Sequence, residues 1–74
     1  MTTFQQRLRE LRVEQGLTQG ALAALLHTTD DSVYSWEKGR SEPSLSMFKE
    51  LCRVFHVSAD YLLGLEDESG AKSY

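Results

Sequence analysis

Apolar residues recur three and four positions apart along most of the chain, and nowhere alternate in a way that proposes a strand. Phe4, Leu8 and Leu11, surrounded by Gln5, Gln6, Arg7, Arg9, Glu10 and Arg12, predict an amphipathic first helix ending near Gly16. Thr18 supplies an N-cap for a second helix whose apolar face reads Leu22, Leu25 and Leu26. Gly20 weakens that helix by about 1 kcal/mol relative to alanine. His27-Thr28 makes a turn, Thr29 caps a third helix running to about Lys38, and Gly39 stops it. Residues 40–44 read as a loop, with the chain's only proline among polar neighbours. A fourth helix follows with Leu45, Phe48, Leu51, Cys52 and Phe55 facing inward. Ser58 then caps a short fifth helix, Ala59 to Leu63, which Gly64 ends. The expectation is an all-α, five-helix domain over residues 1–65 and a flexible acidic tail over 66–74.

Within this pattern one pair of helices stands out. Leu22, Ala23, Leu26, Val33 and Trp36 fall where the second and third helices must pack on each other, with Ala23 small at the close approach. That spacing, across a short polar turn, is the signature of a DNA-reading helix-turn-helix. Asp30 and Asp31 pull the other way, because they open the third helix with two negative charges where a reader approaches a polyanion.

Composition adds little against this pattern. A length of 74 residues accommodates one small domain, and so small a core must be compact or extended by self-association. The single cysteine excludes an internal disulfide and points to a reducing, cytoplasmic setting. No apolar run approaches a membrane span or a signal peptide, so no membrane partner is expected. The net charge of −3 does not advertise a nucleic-acid binder. Three acids and one lysine lie in residues 66–74, however, which leaves the rest near neutral.

The pieces FQQRLRELRVEQGLTQ, LAALLHTT, SWEKG and PSLSMFKELCRVFHVSADYLLG resemble, in order and spacing, the Xre family of phage-repressor and Cro-type domains, over residues 4–64. The resemblance implies a compact lambda-repressor-like helix-turn-helix domain whose second helix lies across the DNA backbone while the third enters the major groove. Gln19 matches the family's backbone-clamping glutamine, aided by the positive potential of a helix N-terminus. Asp30, Asp31 and Ser35 match positions that face base edges, and Thr29, Ser32 and Tyr34 complete the DNA-facing set. The two aspartates admit two compatible readings: acids that stabilise a first turn, or acceptors from a cytosine amino group. Tyr34 can reach a phosphate through its hydroxyl or simply pack on the surface. Lys38, Arg40 and Ser41, with the amides opening the fourth helix at Ser44, make a second phosphate clamp. So few cations imply weak, salt-sensitive binding by one copy.

The family pattern also pairs Glu37 with an arginine of the first helix, here Arg12, and places Trp36 in the core. His27 and Glu42 depart from it. The family favours glycine at the position of His27, where the backbone turns left-handed, and a basic or neutral residue at that of Glu42. The C-terminal region forms a two-fold dimer in many members, and Val57, Tyr61, Leu62 and Leu65 offer apolar surface for one. Alternatively, Leu62 and Leu65 only seal the core.

Cys52 and His56 stand at i, i+4 but are too few for a structural zinc site, and no nucleophile set or glycine-rich phosphate loop is present. Neither an enzyme nor a cofactor or small-molecule substrate is expected. The reading is a cytoplasmic transcriptional regulator, a repressor that binds double-stranded DNA as a homodimer on a palindromic operator. The rival is a protein-interaction module on the same fold, favoured by Asp30, Asp31 and Glu42.

Overall fold

The computed structural model describes residues 2–72. Among them are five helices: α1 (Phe4–Glu14), α2 (Gln19–Leu26), α3 (Asp30–Lys38), α4 (Leu45–Phe55) and α5 (Ala59–Leu63). None is long and apolar enough to cross a membrane.

Local chemistry accounts for both ends of every helix. Each begins at a hydroxyl on extended backbone. Thr3, Thr18, Thr29, Ser44 and Ser58 accept from the amides of Gln6, Ala21, Ser32, Met47 and Tyr61, contributing about 1 kcal/mol apiece. At α1 the Gln6 side chain accepts from the Thr3 amide in return, at 3.0 Å. Each helix ends with a left-handed residue, followed by an amide that donates to the carbonyl five positions back. These bonds run from Leu17 to Arg12, Thr28 to Ala23, Arg40 to Ser35, Val57 to Cys52 and Leu65 to Asp60. At two of these ends the left-handed residue is a histidine, His27 at φ 58° and His56 at φ 56°. Each carries a Cβ penalty that glycine avoids.

The core gathers Leu8 and Leu11 from α1, Leu22, Ala23 and Leu26 from α2, and Val33 and Trp36 from α3. Leu51 and Phe55 of α4 and Leu62 of α5 complete it. The α2 helix packs most extensively on α3, α1 bridges α3 and α5, and α4 closes against α2 and α5. Two expected core positions lie outside. Leu25 is 55% exposed because it sits about 100° around the helix from the centre of the Leu22–Ala23–Leu26 stripe. Leu45, the first residue of α4, projects beyond the core a full turn ahead of Phe48 and is 87% exposed.

The chain beyond α5 does not trail away. Residues 66–72, expected as a flexible tail, turn back in an isolated antiparallel bridge between Glu66 and Lys72. Asp67 closes the turn by accepting from the amides of Ser69 and Ala71 at 2.9 Å and from the Ser69 hydroxyl at 2.6 Å. Those bonds, with the Ser69 hydroxyl foremost, hold the Asp67 carboxyl below its ordinary pKa. Lys72 meets Glu66 at 2.9 Å and Asp60 at 3.0 Å, and those carboxylates hold its ammonium well above the ordinary lysine range. Residues 73 and 74 of the expected tail lie outside the described residues.

The anchor of this turn is Arg7, read from the pattern as one of the polar residues around α1. It is 5% exposed. Its Nη1 donates to the carbonyl oxygens of Tyr61 at 2.7 Å and Glu66 at 3.1 Å, and its guanidinium lies 3.9 Å from the Tyr61 ring centroid. Gly64 makes the matching close approach from α5. At φ 83°, a Cβ there would stand 2.1 Å from the Thr2 carbonyl oxygen, so only glycine fits between α5 and the start of the chain.

Candidate nucleic-acid interface

Three side chains fix the angle between α1, α2 and α3. Arg12 donates through Nε to Glu37 Oε2 at 2.6 Å and through Nη2 to Oε1 at 3.1 Å, a bidentate pair, and through Nη1 to the Leu17 carbonyl at 2.8 Å. The two side chains are only 12% and 4% exposed, so their attraction is poorly screened by water. Gln19 also donates from Nε2 to Glu37 Oε1, at 3.2 Å. Its amide, the first side chain of α2, is therefore held by α3, with its second N–H uncommitted to this bond.

Along α3 the remaining candidates divide by role. Thr29 and Ser32 are occupied with each other: the Thr29 hydroxyl accepts from the Ser32 amide at 3.2 Å and lies 3.0 Å from the Ser32 hydroxyl. Asp30 and Asp31 are exposed in the first turn, where the helix dipole favours them. Ser35 is half-buried, whereas Tyr34 is exposed. At the far end, Lys38 is the basic residue of the last turn, and Gly39, at φ 74°, reverses the chain so that Arg40 folds back. The cations of Lys38 and Arg40 lie 5.7 and 5.4 Å from the Tyr34 ring centroid. Among the described residues neither makes an ion pair. Ser41 and Glu42 are exposed beside them, and the Ser44 hydroxyl caps α4. The surface thus carries acids at one end of α3 and uncompensated cations at the other.

The expected self-association set changes in one respect. Leu62 is fully buried and has no surface to offer a partner, because α5 turns it into the core against α1 and α4. Val57, Tyr61 and Leu65 are half-buried, and Tyr61 is covered by Arg7. Two exposed apolar residues, the neighbouring Leu63 and the distant-in-sequence Leu45, line one groove with Phe4, Glu42, Pro43 and Phe48. Phe4 and Phe48 pack there with ring centroids 5.8 Å apart. For Leu62 the alternative expectation, a residue that seals the core, is the one that the docking of α5 gives.

Cys52 and His56 differ in their surroundings. Burial pushes the Cys52 thiol above its ordinary pKa, His56 is the exposed cap of α4, and no metal-binding group of three such residues occurs among the described residues.

A two-helix unit joined by a tight turn, with a polar edge of α3 exposed and cations at its C-terminal end, defines a helix-turn-helix domain. The profile of the helix-turn-helix family matches residues 8–62, and the chain belongs to the Xre-type helix-turn-helix family of transcriptional regulators. It is 38% identical over 68 residues to an uncharacterized regulator of this type from Methanothermobacter thermautotrophicus, covering 88% of this chain and 94% of that one. It is 33% identical over 64 residues to the transcriptional activator BcrR of Enterococcus faecalis, covering 86% of this chain but only 31% of that protein's length. Among solved structures, the P22 c2 repressor protein bound to a synthetic operator superposes with a TM-score of 0.80 at 25% identity, over 85% of this chain and 96% of that one.

Proposed function

We propose that this chain binds double-stranded DNA sequence-specifically as a homodimer, with α3 in the major groove, and regulates transcription by occupying an operator. The observation that carries the reading is the α2–α3 unit, with Gln19 held at one flank and, at the other, Lys38 and Arg40 in no ion pair among the described residues. Likeness to the P22 c2 repressor in complex with operator supports it. Repression is the direct consequence of occupying an operator. The similarity to an activator rests on under a third of that protein's length.

In this reading Gln19 and the cluster of Lys38, Arg40 and Ser41 grip phosphates, while Asp30, Asp31 and Ser35 face base edges and Tyr34 lies between. Thr29 and Ser32 act mainly by capping α3. Two copies place their recognition helices about 34 Å apart on a palindrome. The apolar groove of Leu45 and Leu63, rather than Leu62, supplies the contact in this proposal. A second reading, a protein-interaction module, draws on the exposure of Asp30, Asp31 and Glu42.

Selection from a random duplex pool across a salt series separates the two. Enrichment of a palindrome with a steep salt slope supports the regulator, and no binding at low salt supports the protein partner. Replacing both aspartates, Asp30→Asn with Asp31→Asn, should strengthen binding to non-specific duplex and relax preference at one base pair if either reads cytosine. Unchanged affinity and preference would remove both residues from the interface.

A further inference from the structure

We propose that Tyr34 is a positioning residue: its ring, not its hydroxyl, gathers Lys38 and Arg40 into one phosphate-binding cluster at the end of α3. The inference rests on the DNA-binding reading above and deepens it. The three residues are four and six positions apart, and an unbroken helix would carry the last of them away around its axis. Gly39 prevents this by reversing the chain, and the Arg40 amide donates to the Ser35 carbonyl at 2.9 Å, which seats Arg40 beside the ring. Both cations then stand within the range, about 6 Å from a ring centroid, in which the negative face of an aromatic ring attracts positive charge.

The physical problem the ring solves is mutual repulsion. Lys38 and Arg40 are exposed like charges with no carboxylate between them among the described residues. Left in solvent they would spread apart and sample many rotamers, and each would lose that freedom on meeting a phosphate. A shared ring lowers both costs before DNA arrives. Asp30 and Asp31 lie at the opposite end of α3, and the Glu37 carboxylate is taken up by Arg12, so none of them neutralises the cluster.

The test is a double-mutant cycle on binding to a mixed-sequence DNA duplex at low salt, because phosphate contacts are indifferent to sequence. Tyr34→Ala should weaken binding roughly three- to tenfold and make the salt slope shallower. In that background Arg40→Ala and Lys38→Ala should each cost less than they do alone. Tyr34→Phe, which keeps the ring, should restore the coupling. An independent readout comes from proton NMR of the free protein: Arg40 Hδ and Lys38 Hε resonances should be shifted upfield by the ring in the parent chain and in Tyr34→Phe, and not in Tyr34→Ala. Additive losses in the cycle, or Tyr34→Phe behaving like Tyr34→Ala, would overturn the proposal while leaving DNA binding intact. Failure of the parent chain to bind duplex at low salt would overturn both.

Discussion

Two arginines five residues apart on α1 are handled in opposite ways. Arg12 faces α3 and meets a carboxylate, Glu37, through two nitrogens. Arg7 faces α5 and the turn beyond it, and meets only carbonyl oxygens and the face of a tyrosine. The first region joins α1 to the helix-turn-helix through a charge pair that also holds Gln19. The second joins α1 to the C-terminal turn through dipoles, with the carboxylate of Glu66 turned instead toward Lys72 and Ser58. A charge withdrawn from water needs either a counter-charge or enough oriented dipoles. The same helix uses one solution where it meets the α2–α3 unit and the other where it meets α5 and the turn beyond it.

The difference can be broken at several points, of which the largest lies in the C-terminal region. Gly64→Ala should cost about 4 kcal/mol, because a Cβ 2.1 Å from a backbone oxygen forces α5 away from the chain start, on top of a left-handed φ. Urea denaturation measures this. Gly16→Ala is the matched control, with a left-handed φ but open space around it, and should lose only about 1 kcal/mol.

Next comes the charge pair. Glu37→Ala leaves Arg12 half-buried without its counter-charge and frees Gln19, and should lose about 3 kcal/mol in the same assay. Smaller is Arg7→Met, which keeps the aliphatic stem over Tyr61 and removes the donor to two carbonyls. A loss of about 1–2 kcal/mol is expected, without the change in duplex binding that should accompany Glu37→Ala. Equal losses for the two variants would erase the distinction between the regions.

The smallest effect is electrostatic and exposed. Lys72 has its pKa raised by Glu66 and Asp60, so its contribution is fully present below the unfolded value of 10.5 and fades as pH rises through the higher folded value. Asp67 has its pKa lowered, so its contribution is present above 3.8 and fades as pH falls through the lower folded value. The difference in stability between Lys72→Met and the parent should therefore hold steady through the neutral and mildly alkaline range and shrink in strong alkali.

Much of the recognition unit was legible in the chain. Thr18, Thr29 and Ser58 read as caps, Gly39 as a stop, and Leu22, Ala23, Leu26, Val33 and Trp36 as the α2–α3 contact, because caps and helical stripes depend on neighbours within about four residues. Leu25 and Leu45 misled for a related reason: an apolar residue at the margin of a stripe, or at a helix start, satisfies the period without reaching the core. Arg7 gave no such signal, since an arginine that ends 5% exposed is spelled like one in solvent.

The sequence by itself determined the helices, their order, their caps and the apolar seam between α2 and α3, all consequences of short-range geometry that each segment carries wherever it sits. Only the tertiary structure decided that Leu62 is core and Leu63 is surface, that Gly64 must lack a side chain against Thr2, and that Arg7 closes the chain on carbonyls. It also decided that Lys38 and Arg40 share the ring of Tyr34. The contacts of Gly64 and Arg7 join residues more than fifty positions apart, and the orientation of α5 and the return of Arg40 depend on how a short helix docks and where a turn aims its exit. Periodicity records which face a helix buries. The residue that waits on the other side of that face is set only when the helices come together.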